Sequence, residues 1–300
     1  MNLSMKLKFI LKIFFAGMAC WGLFYFCKVQ TGGFREYYIL SNLGNDPRWE
    51  LPPLSAEEKQ QVDGLLDQPF TFLGSGGWCF AFLGEDQKTV LKFYKHDHLL
   101  LSSILKDFAF EKLVSRSAPW PQGTRYKQEL NFNSCTLVYK KAKERSGLLY
   151  VHLNKTRGQH KPVTLYDNIG VKHVIDLDKT EFVVQKRADL LIPHIEKLVK
   201  RKKIAEAKEC LDDFLACLLQ LAHNGLRDLD TSLRKNYGFI EGKAVSFDVS
   251  SFVSDETLKN PGSYRKEIVL KSQRLSRHLR KNHPELFTYY ENRIHEICSQ

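Results

Sequence analysis

Hydrophobic and polar positions alternate along this chain in three regimes. Residues 9–27, FILKIFFAGMACWGLFYFC, are apolar apart from Lys12. A mixed stretch follows to residue 54, containing Gly32-Gly33, Asn45-Asp46-Pro47 and Pro52-Pro53, and reads as a linker. Ser55 followed by Glu58 forms a capping-box pattern that opens a helix to about Leu66, stopped by Pro69. Short apolar runs at 70–75, 79–84 and 90–94, separated by LGSGG and GEDQK, predict three strands with tight turns. Apolar residues at helical spacing mark 98–115 and 126–145, and β-rich runs occupy 148–153, 162–166, 172–176 and 181–185. After Lys186 the period becomes helical. One apolar stripe runs through Leu211, Phe214, Leu215, Leu218, Leu219 and Ala222, with Asn224-Gly225 as its stop. A strand pair, NYGFIEGKAVSFD, and two further helices at about 263–281 and 285–298 complete the chain. A β-rich half followed by a helical half predicts an α+β fold in two lobes, 55–186 and 187–300, behind an N-terminal segment 1–30 and a linker 31–54.

As a helix, nineteen residues rise about 28 Å, close to the thickness of a bilayer core. Lys12 lies near one end, within reach of headgroups, while Trp21 and Tyr25 suit the far interface. The segment is expected to be a single-pass membrane anchor, with a cleaved signal peptide as the rival reading. Lys6, Lys8 and Lys12 before it slightly outnumber Lys28 and Arg35 after it, which by itself favours an external globular part.

The net charge of +11 is spread along the chain, with denser basic runs at 197–203 and 265–281 that read as solvated helix faces. No nucleic-acid-binding motif accompanies them, so no nucleic-acid partner is expected. Seven cysteines without a CxxC pair suggest neither a disulfide framework nor a zinc site.

Chemistry concentrates in two places. The first is the glycine cluster Gly74-Ser75-Gly76-Gly77, followed by Lys92 inside an apolar run. Glycines let backbone N–H groups approach phosphate oxygens closely. A lysine on an apolar strand needs an anionic partner. The second is the stretch 226–252, with Asp228, Asp230, Asn236 and, after the strand pair, Asp248. Phosphoryl transfer requires a carboxylate near the attacking hydroxyl and hard oxygens for Mg²⁺. Taken singly, a GSGG turn is a turn, and each aspartate is a cap. Their order along one chain carries the inference.

With these residues in that order, the chain resembles the protein-kinase-like superfamily. The resemblance implies that Lys92 pairs the nucleotide phosphates and that Gly74, Ser75, Gly76 and Gly77 cover them. Asp248, in Phe247-Asp248-Val249-Ser250, would match the metal-binding aspartate of the DFG motif. Asn236 would match the catalytic-loop asparagine, and Asp230 or Asp228 the catalytic aspartate. Residues 182–189, FVVQKRAD, would be the hinge against adenine. The helix glutamate paired with the lysine would be Glu129 or Glu111, with Glu129 preferred because its helix directly precedes the next strand. The cofactors implied are ATP and Mg²⁺.

The chain departs from the family pattern in several places. Cys79 replaces the third glycine, Leu226-Arg227 stands for histidine-arginine, and Val249-Ser250 replaces phenylalanine-glycine. Asp230 to Asn236 spans six residues, one more than the family spacing, and Asp228 to Asn236 spans eight. About 50 residues follow Asp248, so the helical lobe is reduced, as in small-molecule or lipopolysaccharide kinases. Three functions follow as expectations. The first is a membrane-anchored phosphotransferase on the ATP-containing cytoplasmic side, acting on a hydroxyl-bearing acceptor of unidentified class. The second is a pseudokinase scaffold, and the third is a membrane-anchored structural protein.

Overall fold

A computed structural model describes residues 3–96, 120–230 and 232–299. The helix expected over 98–115, with Glu111, lies outside the described residues. The fold is α+β, with one apolar helix at the N-terminus and a mixed sheet of seven strands. The apolar helix is α1 (Leu3–Gln30), whose 23-residue stretch Lys8–Gln30 is long and apolar enough to cross a bilayer and is wholly exposed on this chain.

Helix α2 (Ala56–Leu66) begins at the capping box seen in the sequence. The Glu58 N–H donates to Ser55 Oγ, and Ser55 N–H donates to the Glu58 carboxylate. Strands β1 (Phe70–Ser75), β2 (Cys79–Gly84) and β3 (Thr89–Tyr94) form an antiparallel meander. Helix α3 (Trp120–Ala142) follows, then β4 (Leu148–His152), β5 (Val163–Tyr166), β6 (Lys172–Ile175) and β7 (Phe182–Lys186). The sheet order is β4-β7-β3-β2-β1-β5-β6, antiparallel throughout except where β5 joins β1 in parallel.

Strand alternation divides the sheet into two faces. Phe80, Phe82, Leu91, Phe93, Phe182 and Val184 point to one side and pack with α2 residues Val62 and Leu66. Tyr94, Val151 and Val183 point to the other, toward Phe132 and Cys135 of α3. That second cluster continues without a break into the helical half, through α4 (Leu191–Lys200), α5 (Ile204–His223), α7 (Pro261–Asn282) and α8 (Pro284–Ser299). Between these helices lie β8 (Asp189–Leu190), β9 (Leu226–Asp228), the single turn α6 (Leu233–Asn236), β10 (Tyr237–Ile240), β11 (Lys243–Ser246) and β12 (Phe252–Ser254). The expected boundary at residue 186 is therefore a change of element type rather than a gap in the apolar core. The expected single helical run 192–223 is broken at Arg201–Lys203, where Lys202 takes φ +61°. Gly238 is needed by contact, because a Cβ there would lie 2.3 Å from the Asp189 carbonyl oxygen on the neighbouring strand.

The stretch expected as a linker is part of the folded body. Phe34, Ile39 and Trp49 are buried, with Phe34 set edge-on against Phe80 and Phe82 at 5.3 and 5.1 Å. The chain turns from α1 into this packing through Gly32, at φ +60°, where Phe72 leaves no room for a Cβ. A folded fragment must therefore begin well before residue 45.

Truncating Phe34 to alanine should cost about 3–5 kcal/mol, the range for a fully buried aromatic, read as a lower denaturation midpoint of the full chain in detergent. Buried His152, held between the Thr180 carbonyl and the Thr156 hydroxyl, has its pKa pushed down to about 4 by burial. Between about pH 6.5 and 4 the unfolded chain takes up a proton that the folded chain refuses, so stability should fall across that window by roughly 3 kcal/mol. His152→Gln should flatten that slope in unfolding midpoints measured against pH.

Candidate functional site

The sheet register brings Gly74, Ala81, Lys92 and Val183 into one transverse row on the face turned toward α3. The lysine thus sits on the third strand, across one residue from the glycine strand. The turn 75–77 is exposed, and Lys95 Nζ donates to Ser75 Oγ at 2.7 Å and to the Gly76 carbonyl at 2.6 Å.

Half-buried Lys92 reaches across to the helical half, where its Nζ donates to the Phe247 carbonyl at 2.9 Å. Gln185 of β7 donates to the same oxygen at 3.0 Å and to the Ser146 carbonyl. The Asn236 carbonyl accepts the N–H of Phe247 at 2.9 Å and, more weakly, that of Asp248 at 3.5 Å. From α3, buried Ser134 donates to the Val249 carbonyl and accepts the Phe252 N–H, both at 2.6 Å. Four separate elements thus hold residues 247–249. The β10–β11 hairpin delivers the segment through a two-residue turn, Glu241-Gly242, in which both residues take positive φ (+51° and +81°).

Lys92 and Asp248 both act on Cys79. Burial pushes that thiol up to about 12, Lys92 pulls it down and Asp248 raises it further. Cys79, which stands where a third glycine was expected, is therefore a neutral thiol. Burial also raises Cys135, to about 11. Asp248 is half-buried, and its Oδ1 accepts the Ser250 N–H at 3.2 Å, an Asx turn that leaves the second oxygen free of such a bond. Asn236 is buried, and its side-chain Nδ2 finds no hydrogen-bond partner among the described residues.

The two candidate catalytic aspartates differ sharply. Asp228 ends β9 and is buried. Its Oδ1 accepts from Ser251 at 2.7 Å and from the Asp230 N–H at 2.9 Å, while Oδ2 faces Tyr237 and Lys271, each at 3.4 Å. Burial raises its pKa, and Lys271 opposes the rise. Lys271 is itself buried and donates to the carbonyls of both Asp228 and Asp230. Asp230 is half-buried; one carboxylate oxygen accepts the Ser232 N–H.

Among the described residues Lys92 forms no ion pair. Glu129, the preferred helix glutamate, lies 3.8 Å from the Arg48 guanidinium. Sequence reading missed Gln185, Ser134 and Lys271. Only Lys271 left a signal: it occupies an apolar-stripe position of α7, between Ile268 and Leu275. Sequence reading also missed a His–Glu–His group, in which Glu196 Oε1 accepts from His278 at 2.7 Å and His283 at 2.9 Å. A groove of about 650 Å³ lies elsewhere, between the 45–54 segment and β4, lined in part by Trp49, Lys59, Asp63, Tyr150 and His160.

Comparison with models of known protein families, and with proteins of established function, finds no match.

Removing the Asp228 charge leaves Lys271 buried and uncompensated. Asp228→Asn should therefore lower stability by about 3 kcal/mol or more, whereas Asp230→Asn, outside that pair, should stay within about 1 kcal/mol of wild type. Denaturant unfolding of both variants measures the contrast.

Proposed function

We propose that this protein is an ATP- and Mg²⁺-dependent phosphotransferase of the protein-kinase-like type, with α1 as its membrane anchor and a hydroxyl-bearing acceptor. The observation that carries the reading is the reach of Lys92 from the third strand of a glycine-turn meander to the Phe247-Asp248-Val249 backbone, which Asn236 also holds. In the kinase plan a glycine-rich loop covers the phosphates, the lysine lies on the third strand, and an asparagine and a later aspartate hold metal. On this reading the β-rich half is the N-lobe and the helical half the C-lobe. Residues 182–189, which begin with β7, are then the hinge.

The residues suit the roles chemically. Asp248 keeps one carboxylate oxygen outside its Asx turn, and the Asn236 backbone holds residues 247–248, so the Asp248 carboxylate and the Asn236 amide oxygen would be the hard oxygen ligands. When bound, Mg²⁺ would neutralise charge on the phosphate oxygens. Lys92 would exchange the Phe247 carbonyl for a phosphate oxygen. Asp230, less buried than Asp228, is assigned to orient the acceptor hydroxyl and take its proton. Asp228, held by Ser251, Tyr237 and Lys271, is assigned to position that loop.

A second reading is a pseudokinase scaffold. It is favoured by Val249-Ser250 in place of phenylalanine-glycine and by Leu226-Arg227 in place of histidine-arginine. For the enzyme reading, the globular part lies on the cytoplasmic side, where ATP is available.

Asp248→Ala should abolish Mg²⁺-dependent ATP binding, measured on the full chain in detergent by thermal shift. Asp230→Ala should bind ATP nearly as wild type yet lose transfer of labelled phosphate by on the order of 10²-fold or more. Wild-type protein that binds ATP but transfers nothing would favour the scaffold. Absence of ATP binding with any divalent metal, with both substitutions silent, would exclude the kinase reading.

A further inference from the structure

The β5–β6 hairpin ends in a loop closed by an Asx turn. Asp167, buried, collects the donors of the tip. Its Oδ1 accepts the N–H of Ile169 at 3.1 Å and of Val171 at 2.9 Å, and its carbonyl accepts the N–H of Gly170 at 2.9 Å. The Asp167 N–H donates in turn to the Val171 carbonyl at 3.0 Å. Gly170 takes φ +82°, the left-handed conformation that closes the tip. Three consecutive backbone N–H groups are therefore satisfied within the loop. The side chains presented are apolar: Ile169 is 55% exposed, Val171 48% and Val174, on the adjoining edge strand, 58%.

In water the exposed apolar side chains of the tip are unfavourable. The satisfied N–H groups lower the cost of setting the tip against the boundary of an apolar medium, where an unpartnered donor is expensive. The position of the loop identifies the medium. Asn168 Nδ2 donates to the Gln30 carbonyl at 2.8 Å, and Gln30 is the last residue of α1. The next turn of chain is anchored as well. Phe34 is buried against Phe80 and Phe82 and lies 5.1 Å from the His173 ring, while Arg35 donates to Thr31 Oγ1 at 3.1 Å. The hairpin tip is thus tied directly to the point where the apolar helix ends. Lys28 and Lys172 flank it, of the sign that anionic headgroups attract.

We propose that the 167–171 loop is a second membrane-contacting element, inserting Ile169 and Val171 into the headgroup–acyl boundary of an anionic bilayer beside the exit of α1. The inference rests on the reading of α1 as a membrane anchor. A second contact beside the end of α1 restricts the rotation that one helix alone leaves free. The glycine strand β1 runs next to β5, and its Phe72 packs on Gly32, so the candidate site is held in a set attitude to the lipid surface.

The test places a benzophenone side chain at one position at a time in the full-length chain. The protein is reconstituted in vesicles of phosphatidylcholine and phosphatidylglycerol, and lipid adducts are counted by mass spectrometry after illumination. The positions are Ile169, Phe15 within α1, and Lys202 on the α4–α5 turn. Lipid adducts at 15 and at 169, with those at 169 exceeding those at 202 on the order of tenfold, are expected. Adducts at 15 with position 169 no better than 202 would overturn the insertion while leaving the anchor intact. Adducts at none of the three would overturn both. Crosslinks from 169 to protein instead of lipid would assign the patch to a protein partner and overturn the proposal.

Discussion

The backbone of Phe247, Asp248 and Val249 is the point on which the structure depends. Its polar groups are claimed by residues far away in the chain: Lys92 and Gln185 on the sheet, Asn236 before the hairpin, and Ser134 on α3. A buried backbone group without a partner costs as much as a lost hydrogen bond, so each of these bonds is close to obligatory once the segment is enclosed. Together they join the β-rich and helical halves at one site. That site also holds the Asp248 carboxylate and the Asn236 amide, whose Nδ2 has no hydrogen-bond partner among the described residues. Stability and candidate chemistry therefore draw on the same contacts.

Asp228 and Lys271 are tied to the chain just after this segment through Ser251. Their buried pair, with Ser251 and Tyr237, ties β9 to α7 and holds the carbonyls of Asp228 and Asp230 on either side of the exposed Leu229. Buried ion pairs contribute little net stability, but breaking one strands a charge in low dielectric. The arrangement is a rigid post for the loop that carries Asp230. A carboxylate taking part in proton transfer needs an accessible oxygen, and Asp230 meets that requirement better than Asp228.

At the other end of the molecule, α1 is joined without slack. Gly32 has no room for a side chain, Phe34 is inserted among the sheet phenylalanines, and Asn168 reaches the Gln30 carbonyl. A flexible tether would leave the orientation of the globular part free. These contacts couple the direction of the apolar helix to the plane of the sheet, and so to the glycine strand.

Much of the architecture was legible in the sequence because it depends on local rules. The three strands of the meander, the capping box at Ser55, the Glu241-Gly242 turn and the apolar stripe of α5 each follow from short-range periodicity or turn chemistry. Lys92 stood out as a candidate because a lysine on an apolar strand is expensive to bury, and Asn236 and Asp248 because their oxygens fall in order around a strand pair. Tertiary structure alone decided the rest. The burial of Phe34, Ile39 and Trp49 was not legible, because three widely spaced residues carry no periodicity, yet Phe34 and Ile39 pack against strands and Trp49 against α3, all far along the chain. The different environments of Asp228 and Asp230, two residues apart, come from Lys271, Ser251 and Tyr237, which no local pattern links to them. The partners of Lys92 and Glu129 were hidden for the same reason. A side chain's partner is set by which distant backbone is brought within 3 Å, and sequence spacing holds no record of that distance.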